Sequence, residues 1–195
     1  MKAQHTTPFS AAILAGGKSS RFGEDKGLAL LHNKPLVQYV AEVAHAISND
    51  VFIVTQNKDY QQFAERLAQD EYKDCGPLGG LHAALKHAKN PYCLLLACDM
   101  PYLSRPLLEE IKKQIHSLAM VPVMNEHIEP LCACYHRDAL PVVASQLERG
   151  IFKMSDTIAL LDHQLLRVDE NSDLYSPQMF VNVNTLAEWQ QLRKP

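Results

Sequence analysis

The sequence has no C-x-x-C pair, and its five cysteines (Cys75, Cys93, Cys98, Cys132 and Cys134) are an odd number that closes no disulfide framework. Cys93, Cys132 and Cys134 sit inside apolar runs, where a thiol serves as a small core residue. A reducing compartment, the cytoplasm, is therefore expected. The apolar run near the N-terminus, residues 9–15, is too short to span a bilayer and lacks a secretory layout, so no membrane partner is expected. No block of like charge occurs and the net charge is −3, which argues against a nucleic-acid partner because a basic face is wanting. Repeats, low-complexity stretches and linkers are also absent, so one domain covering residues 1–195 is expected. A hydrophobic fraction of 47% is enough to give that domain a core.

Glycine is scarce but concentrated. Of eight glycines, four fall in residues 16–27 (Gly16, Gly17, Gly23, Gly27) and three in residues 76–80 (Gly76, Gly79, Gly80). The first cluster lies in "AAILAGGKSSRFGEDKG", where an apolar strand runs into a loop holding Lys18, Arg21 and Lys26. The spacing matches neither a Walker sequence nor the dinucleotide fingerprint. A strand, paired glycines and a basic loop can wrap a triphosphate with successive backbone N–H groups, and Arg21 and Lys26 can offset its charge. The same residues also suit a glycine-rich turn with solvated charges.

Along the chain, strands are expected at residues 9–15, 51–55, 92–99, 119–124, 130–136 and 179–184. Helices are expected at 35–48, 59–67, 76–88, 105–116, 138–149 and 153–161, with Ser104 as a cap and a short helix around Trp189. This alternation predicts an α/β fold in three layers, a mostly parallel sheet with helices on both faces. Ligands of such sheets bind beyond the carboxyl ends of the strands, where both the glycine loop and Asp99 fall.

"LAGGKSSRFGEDK" resembles the L-A-G/A-G-x-S-x-R-M/F-G-x-x-K signature of nucleotidyltransferases, and within them the molybdenum cofactor guanylyltransferases. "CGPLGGLHAAL", "LLLACDMPYL", "EPLCACYH" and "VNVNTLAEW" are similar to further landmarks of that family in the same order, with Leu186 where proline is usual. The resemblance implies a Rossmann-like fold of the nucleotide-diphospho-sugar transferase type. It implies transfer of GMP from GTP to the phosphate of molybdopterin, with release of pyrophosphate. The alternatives are a cytidylyl- or sugar-phosphate nucleotidyltransferase, or a carrier that binds without turnover.

The acceptor implied is a phosphate monoester with a second pKa near 6, so at neutral pH it needs no catalytic base. What remains is positioning and charge neutralisation, for which Arg21, Lys26 and Asp99 are the catalytic candidates. Asp99 is the candidate ligand for Mg²⁺, which takes only one or two protein carboxylates; otherwise it caps a turn ahead of Pro101. The resemblance places Leu14, Ala15, Gly16 and Gly17 on the nucleotide. It gives Asp70 the place of the acid that reads guanine, with Asp74 as competitor; either also suits a solvated loop. Asn182 and Asn184 are expected on the acceptor side or, for Asn184, near the metal; both equally suit backbone bonding at a strand end. Cys98 is expected to pack. Transient contact with proteins that supply or accept the cofactor is also implied.

Overall fold

Strict alternation of apolar side chains across a central sheet, rather than one buried face, organises this chain. The structure is a computed structural model that describes residues 7–16 and 25–181. β1 (Phe9–Leu14) leads to the short pair β2 (Leu30–Leu31) and β3 (Lys34–Pro35), then α1 (Leu36–Ile47) and β4 (Asp50–Val54). β5 (Arg66–Ala68), α2 (Gly76–His87), β6 (Tyr92–Ala97) and α3 (Arg105–Gln114) follow. Next come β7 (Ala119–Met124), β8 (His127–Ile128), β9 (Cys132–His136), α4 (Leu140–Glu148), α5 (Met154–Ile158) and β10 (His163–Arg167).

The described residues build an eight-stranded sheet in the order β10-β7-β9-β6-β1-β4-β5, with β8 paired to β7. β5, β4, β1 and β6 run parallel, as do β7 and β10. β9 runs against both β6 and β7 and joins the two blocks. Ala11, Ile13, Leu94 and Leu96 face one way into a core shared with Val40 of α1 and Leu107 and Ile111 of α3. Ala12, Phe52, Cys93 and Leu95 face the other way, toward Leu78 and Leu81 of α2, Val143 of α4 and Ile158 of α5. The expected three layers are thus in place.

Ser104 caps α3 as expected, its Oγ accepting the Leu107 N–H at 3.4 Å. Two expectations need correction. Residues 59–67 are not an α-helix: a 3₁₀ segment, Lys58–Phe63, is followed by β5. The strand expected at 179–184 is not seen in its described part, where Met179 and Phe180 lie in a turn buried under the sheet. Among the described residues no helix is long and apolar enough to cross a membrane.

At the amino edge of the sheet, Asp50 shows how this protein treats a structural buried carboxylate. It accepts from Ser10 Oγ (2.5 Å), Arg66 (2.9 Å) and the Lys89 N–H (3.0 Å). Burial pushes its carboxyl up, but these donors outweigh that and hold it below the ordinary value.

Candidate active site

Parallel register sets Leu14 opposite both Val54 and Ala97, and Val54 opposite Ala68. The row is the carboxyl edge of the sheet. Asp70 and Asp99 each stand two residues beyond it, on strands three spacings apart, roughly 14 Å between backbones. Gly16 lies between them, two residues past the end of β1.

The ladder continues briefly past the strands. Leu14 C=O accepts from the Cys98 N–H and the Ala15 N–H donates to Val54 C=O, both at 3.1 Å. These groups are spent within the sheet, so neither the Leu14 carbonyl nor the Ala15 amide is left for a ligand. A Cβ built at Gly16 meets no heavy atom within 4 Å. No described atom requires the open space beside the backbone there.

Lys26 begins a 3₁₀ turn, Lys26–Leu28, and its Nζ donates to Asp99 Oδ2 in an ion pair. The two side chains are only 18% and 15% exposed. Asp25 presents this lysine. Its carboxylate accepts from Gly27 N–H (3.2 Å), Asn57 Nδ2 (2.9 Å) and the Tyr60 hydroxyl. Burial drives the Tyr60 hydroxyl far above its usual range, so it remains a donor. Cys98 is buried beside them, and burial likewise keeps its thiol protonated, in keeping with the packing role expected of it.

Gly27 is where this assembly is tightest, because a Cβ would overlap the Tyr60 hydroxyl and lie 3.0 Å from Cys98 Sγ. Gly27→Ala is expected to destabilise the fold by about 1–3 kcal/mol, as overpacking does. Urea denaturation checks this; an unchanged midpoint would mean that the contact is slack.

On the other side of β1, Asp70 folds over the start of α2. Its carboxylate accepts the Tyr72 N–H at 2.8 Å. A Cβ at Gly79 would sit 2.6 Å from Asp70 Oδ2, and one at Gly80 would sit 2.8 Å from Leu14 Cδ1. The second glycine cluster therefore lets the 70–72 loop and the end of β1 lie directly on the first turns of α2. Burial raises the Asp70 carboxyl above its ordinary value in spite of the Tyr72 bond. Beneath it, His82 is 7% exposed, packs edge-on to Tyr72 at 4.8 Å, and is held neutral by burial. Asp74 is exposed, at a positive φ of 59°.

Leu14, Ala15, Gly16, Lys26, Asp70 and Asp99 are thus gathered at one edge. Gly17, Arg21, Asn182 and Asn184 lie outside the described residues. Asp25 was overlooked in the sequence, although a carboxylate just before Lys-Gly is the ordinary mark of a cap. The donor set suits a hard cation held by one carboxylate, with phosphate oxygens and water as its other ligands. Among the described residues no group of three His, Cys, Asp or Glu side chains could hold a metal by themselves. Chemically, the edge offers backbone amides, one cation and one carboxylate to a polyphosphate, and a half-buried carboxylate some distance along it.

Residues 11–164 match the MobA-like NTP transferase domain. The chain is 35% identical to a molybdenum cofactor guanylyltransferase of Vibrio vulnificus, over 93% of each chain. It is also 35% identical to one of Vibrio parahaemolyticus, over 95% of this chain and 97% of that one. The solved structure of molybdopterin-guanine dinucleotide biosynthesis protein A from Archaeoglobus fulgidus superposes with a TM-score of 0.79 at 24% identity, over 94% of this chain and 96% of that one, which supports the fold. With a family match over most of its length and relatives 35% identical over more than nine-tenths of it, the chain belongs to the MobA-like NTP transferase family.

Proposed function

We propose that this enzyme transfers GMP from GTP to the terminal phosphate of molybdopterin cofactor and releases pyrophosphate, in the cytoplasm, with residues 1–195 working as one domain. The observation that carries this reading is the Lys26–Asp99 pair set beside Gly16 at the carboxyl edge of β1 and β6. The relatives named above are guanylyltransferases, and the carboxylate on the base side suits guanine, whose N1–H and 2-amino group are adjacent donors.

Asp99 is the residue that would hold Mg²⁺, which when bound offsets phosphate charge. Lys26 pairs with Asp99, and each keeps the other's charge compensated in a partly buried place. When the triphosphate enters, Lys26 turns to its oxygens, joined by Arg21 and by the amides of Gly16 and Gly17. The acceptor phosphate arrives already ionised and attacks the α-phosphorus, and the bond to the bridging oxygen breaks. Pyrophosphate leaves with the electron pair. Asp70 fixes the base, and Asn182 and Asn184 face the acceptor. Proteins that deliver or collect the labile cofactor dock transiently.

Pyrophosphate release with Mg²⁺, molybdopterin cofactor and each of GTP, CTP, ATP and UTP tests the reading. Release with GTP alone is expected. Release with CTP instead would make the enzyme a cytidylyltransferase, and tight GTP binding without release would make it a carrier.

A further inference from the structure

Asp99 divides the carboxyl edge. The nucleotide elements β1, β4 and β5 lie to one side of β6; β9 lies to the other. At the entry to β9 stands Glu129, the acid of the E-P-L landmark, which has no part in the steps above. Its backbone is clamped. The Glu129 N–H donates to Pro122 C=O (2.8 Å), its own C=O accepts from Cys132 N–H (3.1 Å), and the next carbonyl, of Pro130, accepts from the Tyr135 hydroxyl (2.9 Å). Leu131 C=O accepts the Ala97 N–H at 2.9 Å, which sets this segment flush with the end of β6, one strand from Asp99.

A clamped backbone presents a side chain that no described residue bonds. The Glu129 carboxylate is part-buried, and burial pushes it up. Among the described residues His127 is the one ionisable group that acts on it, and none makes a hydrogen bond or ion pair with it. Asp50, the structural case, has three donors. Placing a carboxylate partly out of water without donors is costly, so a donor-bearing ligand is the natural complement. A carboxylate accepts two parallel N–H bonds. The pterin ring of the acceptor offers such a pair, its pyrimidine N–H beside its 2-amino group, the same edge that guanine offers to Asp70.

Resting on the guanylyl-transfer reading, we propose that Glu129 recognises the acceptor: its carboxylate receives the pyrimidine N–H and the 2-amino group of the pterin, on the side of Asp99 opposite the nucleotide base. Two like edges are then read by two carboxylates that flank the reacting phosphates. The arrangement makes Glu129 a specificity residue that touches no reacting atom.

The experiment compares wild type with Glu129→Gln, which keeps shape but replaces one acceptor by a donor, and with Glu129→Asp. At saturating GTP, Glu129→Gln is expected to raise the KM for molybdopterin cofactor about ten- to a hundredfold. KM for GTP and the melting temperature stay as in wild type, and Glu129→Asp falls between. A binding arm uses fluorescence titration of 6-hydroxymethylpterin and its lumazine counterpart, which carries a carbonyl in place of the amine, with GTP saturating so that the base site is filled. Wild type is expected to prefer the pterin and Glu129→Gln to lose that preference. An unchanged acceptor KM with the preference intact overturns the proposal. So does a loss of stability and GTP affinity together, the mark of a purely structural role. A wild type that releases no pyrophosphate with any nucleotide overturns the guanylyl-transfer reading, and the proposal with it. Turnover in wild type beside an indifferent Glu129→Gln removes Glu129 alone.

Discussion

Asp99→Asn is expected to lower kcat for pyrophosphate release by about 10²–10³-fold at saturating substrates, and Lys26→Ala by a similar factor. The difficulty of the reaction is charge: one phosphate must approach another, and negative charge gathers on the leaving pyrophosphate. Lys26 and Asp99 form the ion pair at the point where β1 and β6 end together. Asparagine keeps the shape of Asp99 and removes its charge, so a large loss would belong to electrostatics. Because the two side chains act on one polyphosphate, the double variant should fall little below the worse single one. Should both variants turn over normally while melting earlier, the pair is a structural ion pair and chemistry must be sought elsewhere.

Asp70→Asn is the second large effect, a fall in kcat/KM for GTP of about 10–100-fold, since hydrogen bonds to a charged acceptor carry this much and an amide turns one acceptor into a donor. ITP, which lacks the 2-amino group, should be hurt far less by the same change. Asp70 also imposes a pH signature. Burial raises its carboxyl, so as pH falls it takes up a proton earlier than an ordinary aspartate near 3.9, and the KM for GTP rises from that earlier point. The acidic limb should vanish in Asp70→Asn. If the GTP/ITP ratio is untouched, the base is read elsewhere, and Asp74 is the next residue to change.

The glycine clusters were the most legible part of the sequence because glycine is costly to order and rarely grouped without reason. Gly16, Gly27, Gly79 and Gly80 each prove to mark an open or tight backbone approach at one sheet edge. The strands carrying them were equally plain, being buried on both faces. Residues 59–67 misled because Tyr60, Phe63 and Leu67 follow helical spacing, yet Tyr60 is spent on Asp25 and residues 66–68 are taken by β4 as an edge partner. β10 was missed for a related reason. As the opposite edge strand it sets Leu165 on an exposed face with His163 and Arg167 and buries only Leu166, a pattern with little apolar signal. Glu129 lay in a motif that sequence reading noticed, but that a carboxylate lacks donors is a property of three dimensions only.

β9, the strand that runs against both of its neighbours and joins the two parallel blocks, has an evolutionary consequence. On the proposed function the nucleotide falls to residues 9–99, on one block of parallel strands, whereas the far side of Asp99 is built from residues 119–181. On the same reading the seam between them separates what is donated from what receives it. A lineage could acquire a new acceptor by rewriting the second half of the gene, leaving inherited triphosphate chemistry in the first half intact.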